Sequence, residues 1–379
     1  MPSAEKNIQC LDFEKSYWEL HRQSKPEKDL QPINSSEEET VFWEHYRKGK
    51  IYNPILKYAP AQHDDLFLRF KAFNQQVDCF PDAVANWYVA LIKKQIEALH
   101  HYSRREAHGF PAWLMGLFGK PDADIERHAR KIIHAVSVGQ EPEAQTVSAK
   151  MAGDIFSNEI KESGYEGWNV VIGQNVAKVT VYSLNKIILL SDRATFSEQD
   201  IKRLKAHEIG VHVLRAVNGE RQPYRIFSYG LPDYSETEEG LALLAENYTV
   251  GTQPQVIRKY AFRAVACSLT AEHGFHSILT TLVELGCDPL EAFSITMRVK
   301  RGMTDTSVPG GYTKDQIYLS GFLKLSKLGR QDIAPLFIGK IGLRDVASLR
   351  ELGCDAPFVP EWLGQVPELQ PVGENHVAV

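Results

Sequence analysis

The chain has 379 residues, 43% hydrophobic and 24% charged, with a net charge of −5. This is enough to bury one large core or two adjoining ones, and the acidic balance excludes an electrostatic footprint for nucleic acid or an anionic membrane surface. Five cysteines, odd in number and without CxxC pairing, exclude a disulfide framework and a thiolate-held metal, and predict reduced thiols.

The opening, MPSAEKNIQCLDFEKSYWELHRQ, has neither a basic region nor an apolar stretch of a secretory signal, and no apolar run nears the roughly 18 residues of a spanning helix. A cytoplasmic protein acting on peptides or small molecules, with no membrane partner, is expected. Residues 1–37 are polar apart from a cluster at Leu11, Phe13, Tyr17 and Trp18, and read as a mobile leader. Residues 38–140 read as a helical subdomain: Val41, Phe42 and His45 share one side of 37–46, and Leu66, Phe67, Phe70 and Phe73 punctuate 64–77. Pro81 opens the strongest stretch, with Val84, Trp87, Leu91, Ile92, Ile96 and Leu99 mostly three or four apart. Further helices are predicted at 111–117, 123–136 and 148–162.

The period changes at Gly164. Segments 168–172, 178–182 and 186–190 are rich in Val and Ile and separated by Gly173, Asn175 and Asn185, which predicts a small sheet. Ser197 and Asp200 then form a capping-box start for a helix reaching Val217, where Asn218 and Gly219 are expected to stop it. Helices follow at 236–248, 271–285, 289–300 and 314–327. The polar segment 302–311, GMTDTSVPGG, reads as a lid or a connector.

The helix after Ser197 carries His207-Glu208-Ile209-Gly210-Val211-His212, an HExxxH pattern one residue longer than HExxH. On a regular helix, residues five apart point about 140° away from each other, whereas residues four apart differ by about 40° and meet at one ion. The pattern therefore predicts a π-bulge between 207 and 212, made easier by Gly210. Downstream lies Ser235-Glu236-Thr237-Glu238-Glu239-Gly240-Leu241-Ala242, and a carboxylate there completes a three-ligand zinc site with one open position. With Ser235 as N-cap, Glu238 falls at N3 and bonds back to the cap, leaving Glu239 to ligate. The expected set is His207, His212 and Glu239 around one Zn2+ per chain, with Glu208 as general base for hydrolysis. Glu246, seven residues beyond Glu239, is placed to orient a ligand histidine or to form a surface ion pair.

The segments HEIGVHVLRAVNGERQP, TEEGLALLAE, MRVKRG and GGYTKDQIYLSGF, with YNPILKY and FPAWLMGLFGKP upstream, resemble the microtubule-associated tyrosine carboxypeptidase family and its bacterial relatives with a QEGLA motif. The resemblance runs from about residue 40 to 330. It implies a mainly helical α+β fold of zincin-like (gluzincin) type, with the small sheet beside the HExxxH helix and residues 141–379 forming the catalytic domain. It also implies zinc on His207, His212 and Glu239, with Glu208 as catalytic base. The chain departs from the pattern at Val211, where the family has threonine, and at Thr237-Glu238, where bacterial relatives have glutamine before EGLA.

A carboxypeptidase must bind a terminal carboxylate, for which Arg298, Arg301, Lys314 and Arg215 are the candidates. Tyr318, ahead of Tyr312, is the candidate donor to the oxyanion. The expected activity is removal of a C-terminal aromatic residue, Tyr or Phe, from a peptide or protein, the aromatic preference resting on the resemblance alone. Endopeptidase or aminopeptidase action, or a zinc-stabilised binding protein without turnover, are the alternatives. The negative charge and lack of a basic tail give no means of docking on an acidic microtubule, so tubulin is not carried over as substrate.

Overall fold

The computed structural model describes residues 4–24, 26–61, 63–135, 144–175, 177–251 and 253–368. It is mainly helical with two small sheets, an α+β architecture. The chain divides into two compact units, Met1–Ser137 with Gln255–Leu319 and Val138–Pro254 with Ser320–Val379. Helices 255–319 thus group with the N-terminal helices, which no composition shift announces. The expected boundary at 140/141 lies outside the described residues. Among the described residues, no helix is long and apolar enough to cross a membrane.

In the first unit, the segment expected as a leader is a helix, Ala4–Gln23. Cys10, Phe13, Tyr17 and Leu20 recur at helical spacing and are buried, a stripe too sparse to stand out from its polar neighbours. Phe13 and Tyr17 pack edge-on against Phe73 and Tyr88, joining this helix to Asp64–Phe73 and Asp82–Tyr102. Segment 302–311 is not a loose connector. Thr306 Oγ1 donates to Pro54 O at 2.6 Å, and buried Lys300 donates to the carbonyls of His273, Val308 and Gly310 at 2.7, 2.7 and 2.9 Å. An ammonium with three acceptors is fully satisfied and ties the segment down.

The second unit holds the predicted sheet. Strand β1 (Asn169–Gly173) runs parallel to β3 (Ile187–Ser191), and β2 (Val179–Tyr182) pairs with β3 antiparallel, so β3 is central. Ile188 and Leu190 alternate inward from β3 and pack with Ile201, Leu204, Ile209, Val213 and Val217 of the following helix. The sheet therefore lies beside the HExxxH helix. That helix starts with Glu198–Leu204, where Ser197 and Asp200 make the anticipated capping box. It becomes a π-helix at Lys205–Val213 and returns to α at Leu214–Glu220. Asn218 and Gly219 do not stop it. A Cβ on Gly219 would lie 2.2 Å from Phe227 O, so this glycine admits a neighbouring backbone rather than ending the helix.

Candidate metal centre

The π-helix solves the spacing problem posed by HExxxH. Its hydrogen bonds span five residues, as Leu214 N–H donating to Ile209 O illustrates, so side chains five apart stack on one face. His207 and His212 accordingly meet edge-to-face, with ring centroids 4.9 Å apart. Gly210, in the middle, sits where a Cβ would come 3.7 Å from Lys205 O, close to the distorted turn without collision.

Both imidazoles are held by their Nδ1 atoms. Nδ1 of His207 lies 2.6 Å from Glu246 Oε1, and Nδ1 of His212 lies 2.8 Å from Glu238 Oε1. Ionised carboxylates only accept, so each Nδ1 carries a proton, and Nε2 is the nitrogen each ring has left to offer an ion. The two Nε2 atoms face Glu239, whose Oε2 is 3.9 Å from that of His207 and 3.8 Å from that of His212. Glu239 Oε2 is buried without a hydrogen-bond partner among the described residues. Glu208 borders the same space: its Oε2 is 4.0 Å from His212 Nε2, and ligand-type atoms of His207, Glu208 and His212 lie within 4.8 Å of one another.

The helix Ser235–Val250 supplies three of these carboxylates. Glu239 and Glu246 are seven residues apart, about two turns or 10.5 Å, and so grip opposite ends of the His207 ring. Glu238 does not take the expected capping role. Tyr234 occupies the N-cap position with no side-chain capping bond, Ser235 is the first helical residue, and Glu238 turns inward. Gly240 allows the close crossing of this helix by Gly321, since a Cβ there would be 2.4 Å from the Gly321 carbonyl carbon.

Ionisable groups crowd the site. Glu208, Glu238, Glu239 and Glu246 face three side-chain cations: Arg203 Nη1, 2.8 Å from Glu246, and Arg215 and Lys340, both bonded to Glu238. Burial opposes a proton on His207, but Glu208, Glu246 and Glu239 outweigh it and push the pKa up to about 9. Burial likewise opposes charge on Glu238, while Lys340, Arg215 and the His212 bond hold it well below the usual carboxylate range. A bound cation would take the place of that proton on His207. Two imidazole nitrogens and a carboxylate are zinc-type ligands, and donors 2.0–2.2 Å from a tetrahedral ion stand about 3.3–3.6 Å apart. The observed 3.8 and 3.9 Å are a few tenths wider, a gap that side-chain torsions absorb, so the residues fit the metal.

Arg215 is not a substrate group. It is fully buried, with Nε on Leu336 O at 2.9 Å, Nη2 on Ile341 O at 2.6 Å and Nη1 on Glu238. Arg298, Arg301, Lys314 and Tyr318 belong to the first unit. Arg298 is committed to Asp315 through two bonds of 2.6 and 2.7 Å, and Tyr318 stacks on Tyr260 at 5.0 Å. Arg301 lies over the Tyr312 ring, its Nε buried without a hydrogen-bond partner among the described residues. Sequence reasoning missed Arg203 and Lys340 and misread Glu238. Arg203, one turn before His207 and beside Asp200, was findable from helical spacing, whereas Lys340 carries no local signal.

A family model described as microtubule-associated tyrosine carboxypeptidase matches residues 44–376. Microtubule-associated tyrosine carboxypeptidase 1 of Mus musculus is 35% identical over 164 residues, covering 41% of this chain and 35% of that protein. The Homo sapiens protein of that name is 35% identical over 164 residues, covering 41% and 34%. Putative tyrosine carboxypeptidase MATCAP2 of Mus musculus is 31% identical over 171 residues, covering 42% and 31%. The matched stretch spans about a third of the length of these curated relatives. Since the family model takes in most of its length, the chain belongs to the microtubule-associated tyrosine carboxypeptidase family.

Proposed function

We propose that this chain is a zinc-dependent metallocarboxypeptidase of zincin-like organisation that removes a C-terminal aromatic residue, tyrosine foremost, from a peptide or protein. The observation that carries the reading is the approach of two imidazole Nε2 atoms to a buried, partnerless carboxylate oxygen of Glu239, with the Glu208 carboxylate on the same space. His207, His212 and Glu239 would hold one zinc ion. Glu239 is preferred over Glu208 as the third ligand because its Oε2 approaches both Nε2 atoms and has no other partner.

Zinc in such a site polarises a carbonyl and makes water nucleophilic near neutral pH. Glu208 takes the proton from the attacking water and delivers it to the leaving amine. Glu246 and Glu238 hold the Nδ1 protons, fixing each tautomer and the direction of each Nε2. Arg215 is enclosed and Arg298 is committed to Asp315, so neither is offered for the terminal carboxylate. Tyrosine specificity comes from the names of the relatives.

The test is mass spectrometry of peptides with varied C-terminal residues after incubation with the zinc-loaded protein. Loss of one residue, fastest from peptides ending in tyrosine, is expected. Cleavage of peptides blocked by a C-terminal amide would contradict the carboxypeptidase reading.

A further inference from the structure

The two ligand-type histidines are braced unequally. Glu246, behind His207, receives Arg203, which reaches it from the same helix as the histidine and is partly exposed. Glu238, behind His212, is enclosed by two buried cations from different parts of the chain. Arg215 Nη1 donates to its Oε2, and Lys340 Nζ donates to Oε1, the oxygen that also receives His212 Nδ1 at 2.8 Å. Both oxygens are thus occupied from fixed directions, and the carboxylate has no rotation left that preserves its bonds.

The cations are themselves anchored. Arg215 spends its other two nitrogens on the carbonyls of Leu336 and Ile341. Lys340 is fixed at its backbone, its N–H donating to Phe227 O at 2.7 Å and its carbonyl accepting from Leu231 N at 2.9 Å. Gly339 permits that approach, because a Cβ there would lie 2.5 Å from Phe227 O. The segment 336–341 is therefore wired to the His212 imidazole through one carboxylate. Fold stability alone gives little reason for the arrangement, since apolar residues of similar volume commonly replace a buried ion cluster at no cost.

We propose that Lys340 and Arg215 are positioning residues for the metal centre. By clamping Glu238 they hold His212 with Nε2 turned toward Glu239, and so set metal affinity without touching metal or substrate. The inference rests on the zinc reading above.

The experiment compares zinc dissociation constants, measured against a chromophoric chelator, for the full chain and for Lys340→Met, Lys340→Arg and Arg215→Lys, with the visible spectrum of each cobalt-substituted protein. Lys340→Met should weaken zinc about 10- to 100-fold, the range found when such supporting partners are removed, and should alter the cobalt spectrum. Lys340→Arg, which keeps a cation in reach, should restore most of the affinity; a merely structural lysine gives no such pairing of loss and rescue. If Lys340→Met does not fold, Arg215→Lys carries the comparison, since it keeps the charge but loses the fork that reaches Leu336 and Ile341. Equal affinities and unchanged spectra in all variants would overturn the positioning role while leaving the zinc reading intact. Failure of the unaltered chain to bind zinc would overturn both.

Discussion

Asp315 in the first unit and Glu238 in the second are both buried carboxylates bonded to arginine, and they differ in what the carboxylate does next. Asp315 in the first unit takes both bonds from Arg298, with Arg263 Nε at 3.8 Å, and closes on itself. Glu238 in the second unit takes Arg215 and Lys340 and passes its remaining acceptor capacity to His212. Burial works against charge on both, and in both the neighbouring cations prevail and hold the pKa well below the usual range. Depressed acidity therefore does not distinguish a functional carboxylate from a structural one. The distinguishing feature is a bond onward to a ligand-type side chain, here Nδ1 of His212.

The largest expected effect sharpens this contrast with a third carboxylate, Glu208, which has no guanidinium bonded to it among the described residues. Glu208→Gln should lower turnover by about 10²- to 10⁴-fold, with zinc content and melting temperature close to those of the unaltered protein. Unimpaired hydrolysis in that variant would remove the proposed base.

Next in size is Glu238→Gln. It leaves two buried cations without their counter-charge and should destabilise the protein by about 3–5 kcal/mol, and it should also weaken zinc binding. Asp315→Asn should cost about 1–3 kcal/mol, because partly exposed Arg298 regains water, and should leave zinc affinity unchanged. Denaturant melts and zinc titrations on the two variants separate the cases. A zinc defect in Asp315→Asn would break the comparison.

Asp315 also predicts an acid limb. Its folded pKa lies below the unfolded value, so its stabilising contribution is complete above about pH 4 and is lost as pH falls through the folded pKa. Asp315→Asn should therefore be less sensitive to acid below pH 4 than the unaltered chain, as read from melting temperatures across pH. Gly240→Ala acts through packing alone. The added Cβ meets Gly321 backbone and should destabilise by about 1–3 kcal/mol, measurable in a denaturant melt, through overpacking of the helix that carries Glu239.

Sequence made the local features of the candidate metal centre legible. Ser197 and Asp200 announced the helix start, the five-residue gap between His207 and His212 demanded a distortion that appears as a π-helix, and the seven-residue gap between Glu239 and Glu246 put both on one face. What it could not convey were the partners set by distant backbone. Arg215 reads as an exposed substrate group until Leu336 and Ile341 fold over it, and Lys340 reads as nothing at all. Glu238 was misread for the same reason: a capping residue is a local inference, whereas its bonds to Arg215 and Lys340 depend on tertiary packing. The grouping of helices 255–319 with the N-terminal ones follows from contacts of long sequence separation, such as Phe42 against Phe275 and Phe293, which periodicity does not encode.

X-ray absorption at the zinc edge on the zinc-loaded protein tests the central claim most directly. The account predicts two imidazole nitrogens and oxygen donors at about 2.0–2.2 Å with no sulfur, and loss of one imidazole from the shell in His212→Ala. A shell containing sulfur, or one unchanged by His212→Ala, would contradict it.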